Sequence, residues 1–272
     1  MANYPHRATI HLCRNGRQGE RATPQQARDG VPKMARNYIV LDTETCDKLA
    51  RNLKQPEPYN SLVYDLGFCV VDGNTHEIIE QHSFLIMETM QQSRLMRSAY
   101  YADKLPAYRA GARLDGTGEW QVVTFHDAWS TFCNACRTYK VHTVWAYNCS
   151  FDEQALNSTM RTYSNGFRAF FAPYDVRFRD IWDFASCITG TRKYVEWALT
   201  NARTTSTGNP STSAESVYAY LTDNAEYIER HTALEDARIE AAILATCKRR
   251  KKKTRHSRGQ GWRDAAKTAK TL

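Results

Sequence analysis

The chain has 272 residues, a formal net charge of +8, 42% hydrophobic residues and 11% aromatic residues. This apolar content excludes an intrinsically disordered chain, and the length suffices for one large domain or two small ones. No run of about 18 apolar residues occurs, and the N-terminus has no apolar signal segment. We therefore expect neither a membrane-spanning helix nor a secretory signal.

The net positive charge of the chain arises from its two ends. Residues 1–33 hold six Lys/Arg and two Asp/Glu, residues 248–272 hold eleven and one, and residues 34–247 hold twenty and twenty-six. An acidic body suits a site that holds cations, whereas a basic tail suits a polyanionic partner. We predict a poorly ordered extension over residues 1–36, one folded domain over residues 37–247 and a basic, disordered tail after it.

The eight cysteines favour free thiols in a reducing compartment, because most lie within apolar patterns such as LGFCVVD. Cys133 and Cys136 form the one Cys-x-x-Cys pair. A structural zinc site needs a second such pair or two histidines at suitable spacing, and neither is present. We interpret the pair as two small residues on an amphipathic helix. The alternative, a zinc-binding adaptor, predicts stoichiometric zinc in the purified protein.

The hydrophobic pattern predicts a β-meander followed by helices that alternate with strands. Predicted strands cover 38–41, 62–71, 82–87 and 141–147, and predicted helices cover 124–139, 151–163, 213–220 and 233–249, with Ser213 as an N-cap. Residues 88–118 look helical but break near Pro106 and Gly111. Residues 178–188 contain a short strand or helix, and residues 200–213 form a polar loop. This order predicts an α/β fold with a mixed sheet flanked by helices.

Two acidic motifs follow predicted strands. Asp42 and Glu44 lie in the sequence DTET, and they project together because residues two apart in a strand point to the same face. Asp152 ends the sequence NCSFD directly after another strand, where ligands collect in open α/β sheets. Taken alone, the first motif could be a solvated strand end. The second could be an acidic residue that complements a helix macrodipole.

The third motif, HTALEDA, places His231 and Asp236 five residues apart. On one continuous helix they would be roughly 140° out of phase, so we expect His231 on the loop that enters the helix and Asp236 near the helix start. Glu235 would point about 100° away from Asp236, into solvent. Four carboxylates at one point would repel each other unless cations join them. The three motifs therefore predict metal-assisted phosphodiester hydrolysis.

In this order, the motifs DTET, NCSFD and HTALEDA resemble those of the DEDDh group of the DnaQ-like 3′–5′ exonuclease superfamily, which has a ribonuclease-H-like fold. The resemblance covers about residues 37–247. It departs from the family at Cys46-Asp47, where a Gly or Thr is usual, and in a longer insert over residues 88–118. These departures concern substrate contacts and not the predicted metal site.

The resemblance implies two Mg²⁺ or Mn²⁺ ions with oxygen ligands, which hard cations prefer. Asp42 would bridge both ions, Glu44 and Asp236 would bind the ion that activates water, and Asp152 would bind the second. His231 would accept the proton of the attacking water, since its ordinary pKa suits a base at neutral pH.

Four further residues are predicted to contact the substrate. Thr43 and Thr45 would offer polar contacts to the terminal 3′-OH, with Asn148 in the same set. Phe151 would pack against the terminal base or ribose, because aromatic faces accept any base; plain core packing is the alternative.

A second patch also interleaves aromatic and basic residues, as grooves for single strands do, although an amphipathic helix packed on the body is the stronger interpretation. It consists of Tyr100, Tyr101, Lys104, Tyr108 and Arg109. The run of Lys/Arg after residue 247 would hold phosphates electrostatically, or else form a solvated end or a localisation signal.

We predict a metal-dependent 3′–5′ exonuclease that acts on single-stranded 3′ ends, with DNA as the expected substrate, and releases nucleoside 5′-monophosphates. Alternatives are an RNA-trimming exoribonuclease and a catalytically inactive nucleic-acid-binding module. A polymerase or another replication protein could be a partner, whereas a membrane is not expected. We predict a cytoplasmic protein, whose stand-alone organisation would suit a phage-encoded enzyme in its host.

Overall fold

The structure is a computed structural model that describes residues 36–51, 57–113, 119–250 and 261–272. Its strands are β1 Tyr38–Asp47, β2 Ser61–Val71, β3 Ile78–Ile86, β4 Ala112–Arg113, β5 Trp120–Val123, β6 Thr143–Ala146 and β7 Arg177–Asp180. Its helices are α1 Met87–Met90, α2 Ser93–Met96, α3 Leu105–Gly111, α4 Phe125–Thr138, α5 Cys149–Tyr163, α6 Ile181–Thr189, α7 Arg192–Thr200, α8 Ala214–Leu221, α9 Ala233–Arg249 and α10 Gly261–Ala269.

The strands form one mixed sheet in the order β4-β5-β3-β2-β1-β6-β7. β1, β2 and β3 pair antiparallel, as the predicted meander requires. β6 pairs parallel with β1 on one side and with β7 on the other. β5 pairs parallel with β3 and β4. The predicted fold class, a mixed sheet flanked by helices, is confirmed.

Helices cover both faces of β1, which explains its continuous apolar run. Ile39 and Leu41 point to one face, where they pack with α4 and α5. Val40 points to the other face, where it packs with α6 and α9. Successive residues of β1 therefore reach two separate helical layers, and this alternation continues into the first acidic motif.

Several element boundaries differ from the prediction. β1 runs through the DTET motif to Asp47, with an irregularity in its pairing between Glu44 and Thr45. Pro106 lies in the first turn of α3 and does not break a helix, since a proline there lacks only an N–H that would be unpaired anyway. α7 was not predicted, although the Thr191 hydroxyl accepts a hydrogen bond from the backbone N–H of Tyr194 at its start.

The C-terminal tail also differs from the prediction, because residues 261–269 form α10. This helix packs against α6 and α7, and the Thr268 hydroxyl donates to the carbonyl of Gly190 over 3.1 Å. The predicted tail is therefore wrong over this stretch, whose few apolar side chains gave too weak a periodic signal. Residues 251–260 lie outside the described residues, as does the predicted extension apart from Arg36.

None of the seven cysteines of the described ranges forms a disulfide. Cys133 and Cys136 both lie on α4, as the sequence analysis interpreted them. Cys136 is buried in the core, and Cys133 packs at the edge of the same cluster. Neither belongs to a group of metal-ligating side chains among the described residues. None of the described helices combines the length and apolar character needed to cross a membrane.

Candidate active site

The first two carboxylates of the site lie on β1. Val40, two residues before Asp42, packs with α9, so Asp42 and Glu44 share the face of the sheet toward that helix. Glu44 is buried and Asp42 is partly buried. The predicted shared face is confirmed, but both residues lie inside the strand and not at its end.

Asp152 reaches the site from the opposite face, in the first turn of α5. Asn148 begins that helix in the left-handed conformation, with φ +61°. The backbone N–H of Asn148 donates to Oδ1 of Asp180 over 3.1 Å. The Thr43 hydroxyl, which points away from Asp42 along β1, donates to Oδ1 of Asp152 over 2.7 Å. Thr43 thus fixes the carboxylate of Asp152 beside β1.

His231 lies on the loop at residues 229–232, which we call the His231 loop. Helix α9 begins directly after this loop, at Ala233. Asp236 is the fourth residue of α9, as predicted. Oδ2 of the buried Asp65 on β2 accepts the backbone N–H of Ala233 over 3.0 Å, so a strand carboxylate caps the helix. α9 approaches β2 so closely at Gly67 that a Cβ there would lie 2.0 Å from the Leu234 nitrogen.

The three motifs converge on one cavity. Glu44, His231 and Asp236 each offer one ligand atom, and these atoms lie within 4.8 Å of one another. The cavity has a volume of about 280 Å³. It is lined by Asp42, Thr43, Glu44, Thr45, Tyr100, Tyr101, Tyr147, Asn148, Phe151, Asp152, Ala214, Glu229, His231, Asp236 and Glu240. Every residue that the sequence analysis assigned to the site therefore lies on its wall.

Two acidic residues of the cavity were missed by the sequence analysis. Glu240 is buried on α9, and its Oε2 accepts the backbone N–H of Tyr147 over 3.1 Å, which ties α9 to the turn before α5. Glu229 lies on the His231 loop, with Oε2 3.6 Å from Nδ1 of His231. A signal existed for Glu240, because residues four apart share a face of a helix and Asp236 had already been placed in the site.

Burial and mutual repulsion raise the pKa values of the carboxyl groups. Burial is the largest cause at Asp42, and Asp152 and Glu240 add to it. Burial raises the pKa of Asp236 to about 9, with repulsion from Glu229. Burial also raises the pKa of Asp152 to about 7, against the hydrogen bond from Thr43. The site thus concentrates negative charge that the described residues offset poorly.

The residues present fit divalent cations. Oδ1 of Asp236 is buried and finds no hydrogen-bond partner among the described residues, although a buried acceptor without a partner is costly. The Lys104 ammonium lowers the pKa values of Glu44 and Asp236, but it ranks below burial and neighbouring carboxylates at both. Oxygen donors in this number are the ligands that Mg²⁺ and Mn²⁺ prefer.

A second group of side chains shares the histidine, since ligand atoms of Glu215, Glu229 and His231 also lie within 4.8 Å of one another. Glu215 is already engaged in this group: it forms an ion pair with Arg203, and its Oε2 accepts the backbone N–H of Glu229 over 3.0 Å. Glu215 therefore serves to anchor the His231 loop.

The surroundings of His231 favour its neutral form. Burial is the largest cause of its lowered pKa, and the Lys104 ammonium lowers it further, against the opposite effect of Glu215 and Asp103. A neutral imidazole has one ring nitrogen that can accept a proton. His231 therefore meets the electronic requirement for a general base.

Three solved structures have a similar architecture. Exonuclease I of E. coli in complex with an oligonucleotide matches with a TM-score of 0.50 and 13% identity, over 79% of this chain and 41% of that chain. A full-length 3′-exonuclease matches with a TM-score of 0.52 and 10% identity, over 82% and 86%. The nuclease domain of 3′hExo, a DEDDh family member bound to rAMP, matches with a TM-score of 0.50 and 9% identity, over 83% and 98%.

The chain has the fold of the DnaQ-like exonucleases. The resemblance seen in the motifs is thereby confirmed at the level of the DnaQ-like architecture. No family model and no curated protein sequence matches the chain. The chain spans about two fifths of exonuclease I, 41% of its length, and the DnaQ-like fold is what the two have in common.

Proposed function

We propose that this protein is a divalent-metal-dependent 3′–5′ exonuclease that hydrolyses phosphodiester bonds at nucleic-acid 3′ ends and releases nucleoside 5′-monophosphates. The observation that carries the proposal is the approach of Glu44, His231 and Asp236 to within 4.8 Å in a cavity shared with Asp42 and Asp152. The DnaQ-like fold supports it. We infer that the catalytic unit comprises residues 37–247, as the sequence predicts.

Four carboxylates would hold the cations, which we propose to be two Mg²⁺ or Mn²⁺ ions: Asp42, Glu44, Asp152 and Asp236. When bound, such ions supply activation of water and stabilisation of charge on the phosphate. Thr43 keeps the carboxylate of Asp152 turned toward β1 through its 2.7 Å hydrogen bond. His231, neutral because of burial and Lys104, accepts the proton of the attacking water at a ring nitrogen.

The cavity suits one terminal nucleotide. Its volume of about 280 Å³ lies just below the range for small-ligand pockets, about 300–1,000 Å³, which favours a reaction at a chain end. Phe151 and Tyr100 line it and offer aromatic faces that accept any base. Thr45 and Asn148 also line it, and we assign them polar contacts to the terminal sugar. The Thr43 hydroxyl already donates to Asp152. The proposed contact of Thr43 with the terminal 3′-OH would therefore come from its backbone.

We take DNA as the expected substrate and RNA as the second candidate. The dT oligonucleotide bound to exonuclease I favours DNA. The rAMP bound to the 3′hExo nuclease domain favours RNA. A polymerase partner stays a prediction of the sequence, since none of the three compared structures is described with one.

A nuclease assay tests the proposal directly. Single-stranded DNA, duplex DNA and RNA of one sequence, each labelled at the 5′ end, are incubated with the protein in Mg²⁺, in Mn²⁺ or in EDTA. We expect stepwise shortening from the 3′ end with either metal, none in EDTA, and nucleoside 5′-monophosphates as product. Retention of the strand without shortening would instead identify a binding module, and internal cleavage would contradict the assignment.

The metal-free protein should lose stability as the pH rises from 6.5 to 9. The pKa values of Asp152 and Asp236 are raised to about 7 and about 9, whereas an unfolded carboxyl group titrates near 3.9. The folded state therefore binds more protons in this window, and its stability falls as these protons are lost.

Thermal unfolding in EDTA at pH 6.5 and pH 9 measures this effect. Saturating Mg²⁺ should raise the melting temperature by a larger amount at pH 9, because the cation binds ionised carboxylates and releases protons. A melting temperature in EDTA that rises between pH 6.5 and pH 9 would contradict the proposed charge state.

A further inference from the structure

The His231 loop places its histidine in a strained conformation. His231 has φ +52°, a left-handed backbone conformation that is uncommon outside glycine. Its side chain is 29% exposed, so burial alone does not fix the imidazole ring. A general base must nevertheless present one ring nitrogen in a defined direction. The contacts that hold this ring are therefore of functional interest.

The segment at residues 101–108, within the insert between β3 and β5, supplies such a contact. The ring of Tyr101 stacks on the imidazole of His231, with centroids 4.4 Å apart and planes inclined by 15°. The Lys104 ammonium lies 4.6 Å from the centroid of the Tyr101 ring, and it donates a hydrogen bond to the carbonyl of Arg230. One lysine thus contacts both the stacking ring and the backbone next to His231.

The same segment also holds the backbone of the His231 loop. The Tyr108 hydroxyl lies 2.9 Å from Oδ2 of Asp65 and 3.4 Å from the carbonyl of His231. Oδ2 of Asp65 also accepts the N–H of Ala233. The 101–108 segment thus contacts the carbonyls of residues 230 and 231, and Asp65 holds the amide of residue 233.

We propose that Tyr101 and Lys104 are positioning residues that fix the plane of the His231 imidazole for proton transfer; the inference rests on the proposed nuclease function. Simple packing requires contact but not parallel rings. A parallel stack defines the plane of the imidazole and therefore the direction of both ring nitrogens. These directions matter because one ligand atom each of Glu44, His231 and Asp236 lies within 4.8 Å of the others. The patch in this insert, for which the sequence analysis favoured a helix packed on the body over a groove for single strands, thus acts through the proposed catalytic histidine.

Kinetics of substituted enzymes test this role. Tyr101→Ala should lower kcat by about 10- to 100-fold, because a misplacement of about 1 Å can cost about 100-fold in rate. Tyr101→Phe keeps the ring and should stay close to the unsubstituted protein. Lys104→Met should reduce kcat less than Tyr101→Ala. Tyr174→Ala, at a fully exposed tyrosine that does not line the cavity, is the matched control and should leave kcat unchanged.

A double-mutant cycle separates positioning from general structural damage. If Tyr101 acts through the imidazole, Tyr101→Ala should have no further effect on kcat in a His231→Ala background. An equal loss in both backgrounds would overturn the proposal, as would a loss confined to KM, which would identify Tyr101 as a substrate contact.

Histidine ring NMR signals provide a readout that needs no activity. The ring current of Tyr101 should shift the His231 ring protons, and this shift should disappear in Tyr101→Ala while remaining in Tyr101→Phe and Tyr174→Ala. A His231 signal that does not respond to Tyr101→Ala overturns the stack even if the protein is a nuclease. An inactive protein that shows the shift retains the stack and refutes the nuclease function instead.

Discussion

Asp42→Asn should abolish metal-dependent cleavage and raise the stability of the metal-free protein. Asp42 lies beside other acidic residues, and repulsion from Asp152 and Glu240 ranks next after burial in raising its pKa. Cations at such sites contribute several kcal/mol of transition-state stabilisation. Because each 1.36 kcal/mol is a factor of ten in rate, the loss of one of the four proposed metal-binding carboxylates should cost about 10³-fold or more. Asparagine removes a repelling charge from the cavity at little change in volume.

The measurements are the 3′-shortening rate in Mg²⁺ and the melting temperature in EDTA. For a domain of this size, each kcal/mol of stability gained corresponds to about 2–4 °C. Asp72→Asn is the control, since Asp72 caps the turn after β2, where Oδ1 accepts the N–H groups of Asn74 and Thr75. An Asp42→Asn protein with full activity would refute the site, and one with lowered metal-free stability would refute the repulsion argument.

Gly67→Ala should disrupt the site without changing any of its functional groups. A Cβ on Gly67 would lie 2.0 Å from the nitrogen of Leu234 and 2.2 Å from the carbonyl carbon of Ala233. These are backbone atoms, so the start of α9 must move away from β2, and Asp236 moves with it. In the register of the sheet Gly67 pairs with Asp42, so the displacement occurs directly beside the carboxylates. Overpacking of this kind costs about 1–3 kcal/mol or more, and the rate should fall by at least about 100-fold.

Leu66→Ala separates misplacement from instability. Leu66 points to the opposite face of β2, into the core beside α4 and α5, and its truncation should cost about 2–5 kcal/mol. α9 should keep its contact with β2 in this variant. We therefore expect Mg²⁺ to raise the melting temperature of Leu66→Ala as in the unsubstituted protein, but to have little effect on Gly67→Ala. Equal metal responses in the two variants would show that Gly67 does not set the position of α9.

The sequence predicted those features that depend on local patterns. α9 was placed at 233–249, because its apolar residues recur at helical spacing until the basic run begins. The cap at Ser213 was correct because its hydroxyl accepts the N–H of Ser216. The acidic motifs were recognised because the three occur together in one order along the chain, which resembles the order in the DEDDh exonucleases. Their convergence then followed from the topology that the resemblance implied.

The features that were missed depend on contacts between distant parts of the chain. Asp65 appears in sequence as an isolated acid in an apolar strand, and only the fold brings it to the first turn of α9. Tyr101 stacks on a residue 130 positions later, and no periodicity encodes that pairing. β5 has only four residues, most of which are partly or fully exposed. Its formation therefore depends more on pairing with β3 than on its own composition. Glu240, in contrast, could have been predicted from its spacing of four residues from Asp236.

Asp152 and Asp236 reach the cavity from helices that cover opposite faces of the sheet. The proposed ion-binding group therefore exists only while both helical layers are docked on β1, and local opening of either one disperses it. Local openings occur with different free energies in different parts of a protein. The lifetime of the assembled centre is thus limited by whichever of α5 and α9 undocks more readily.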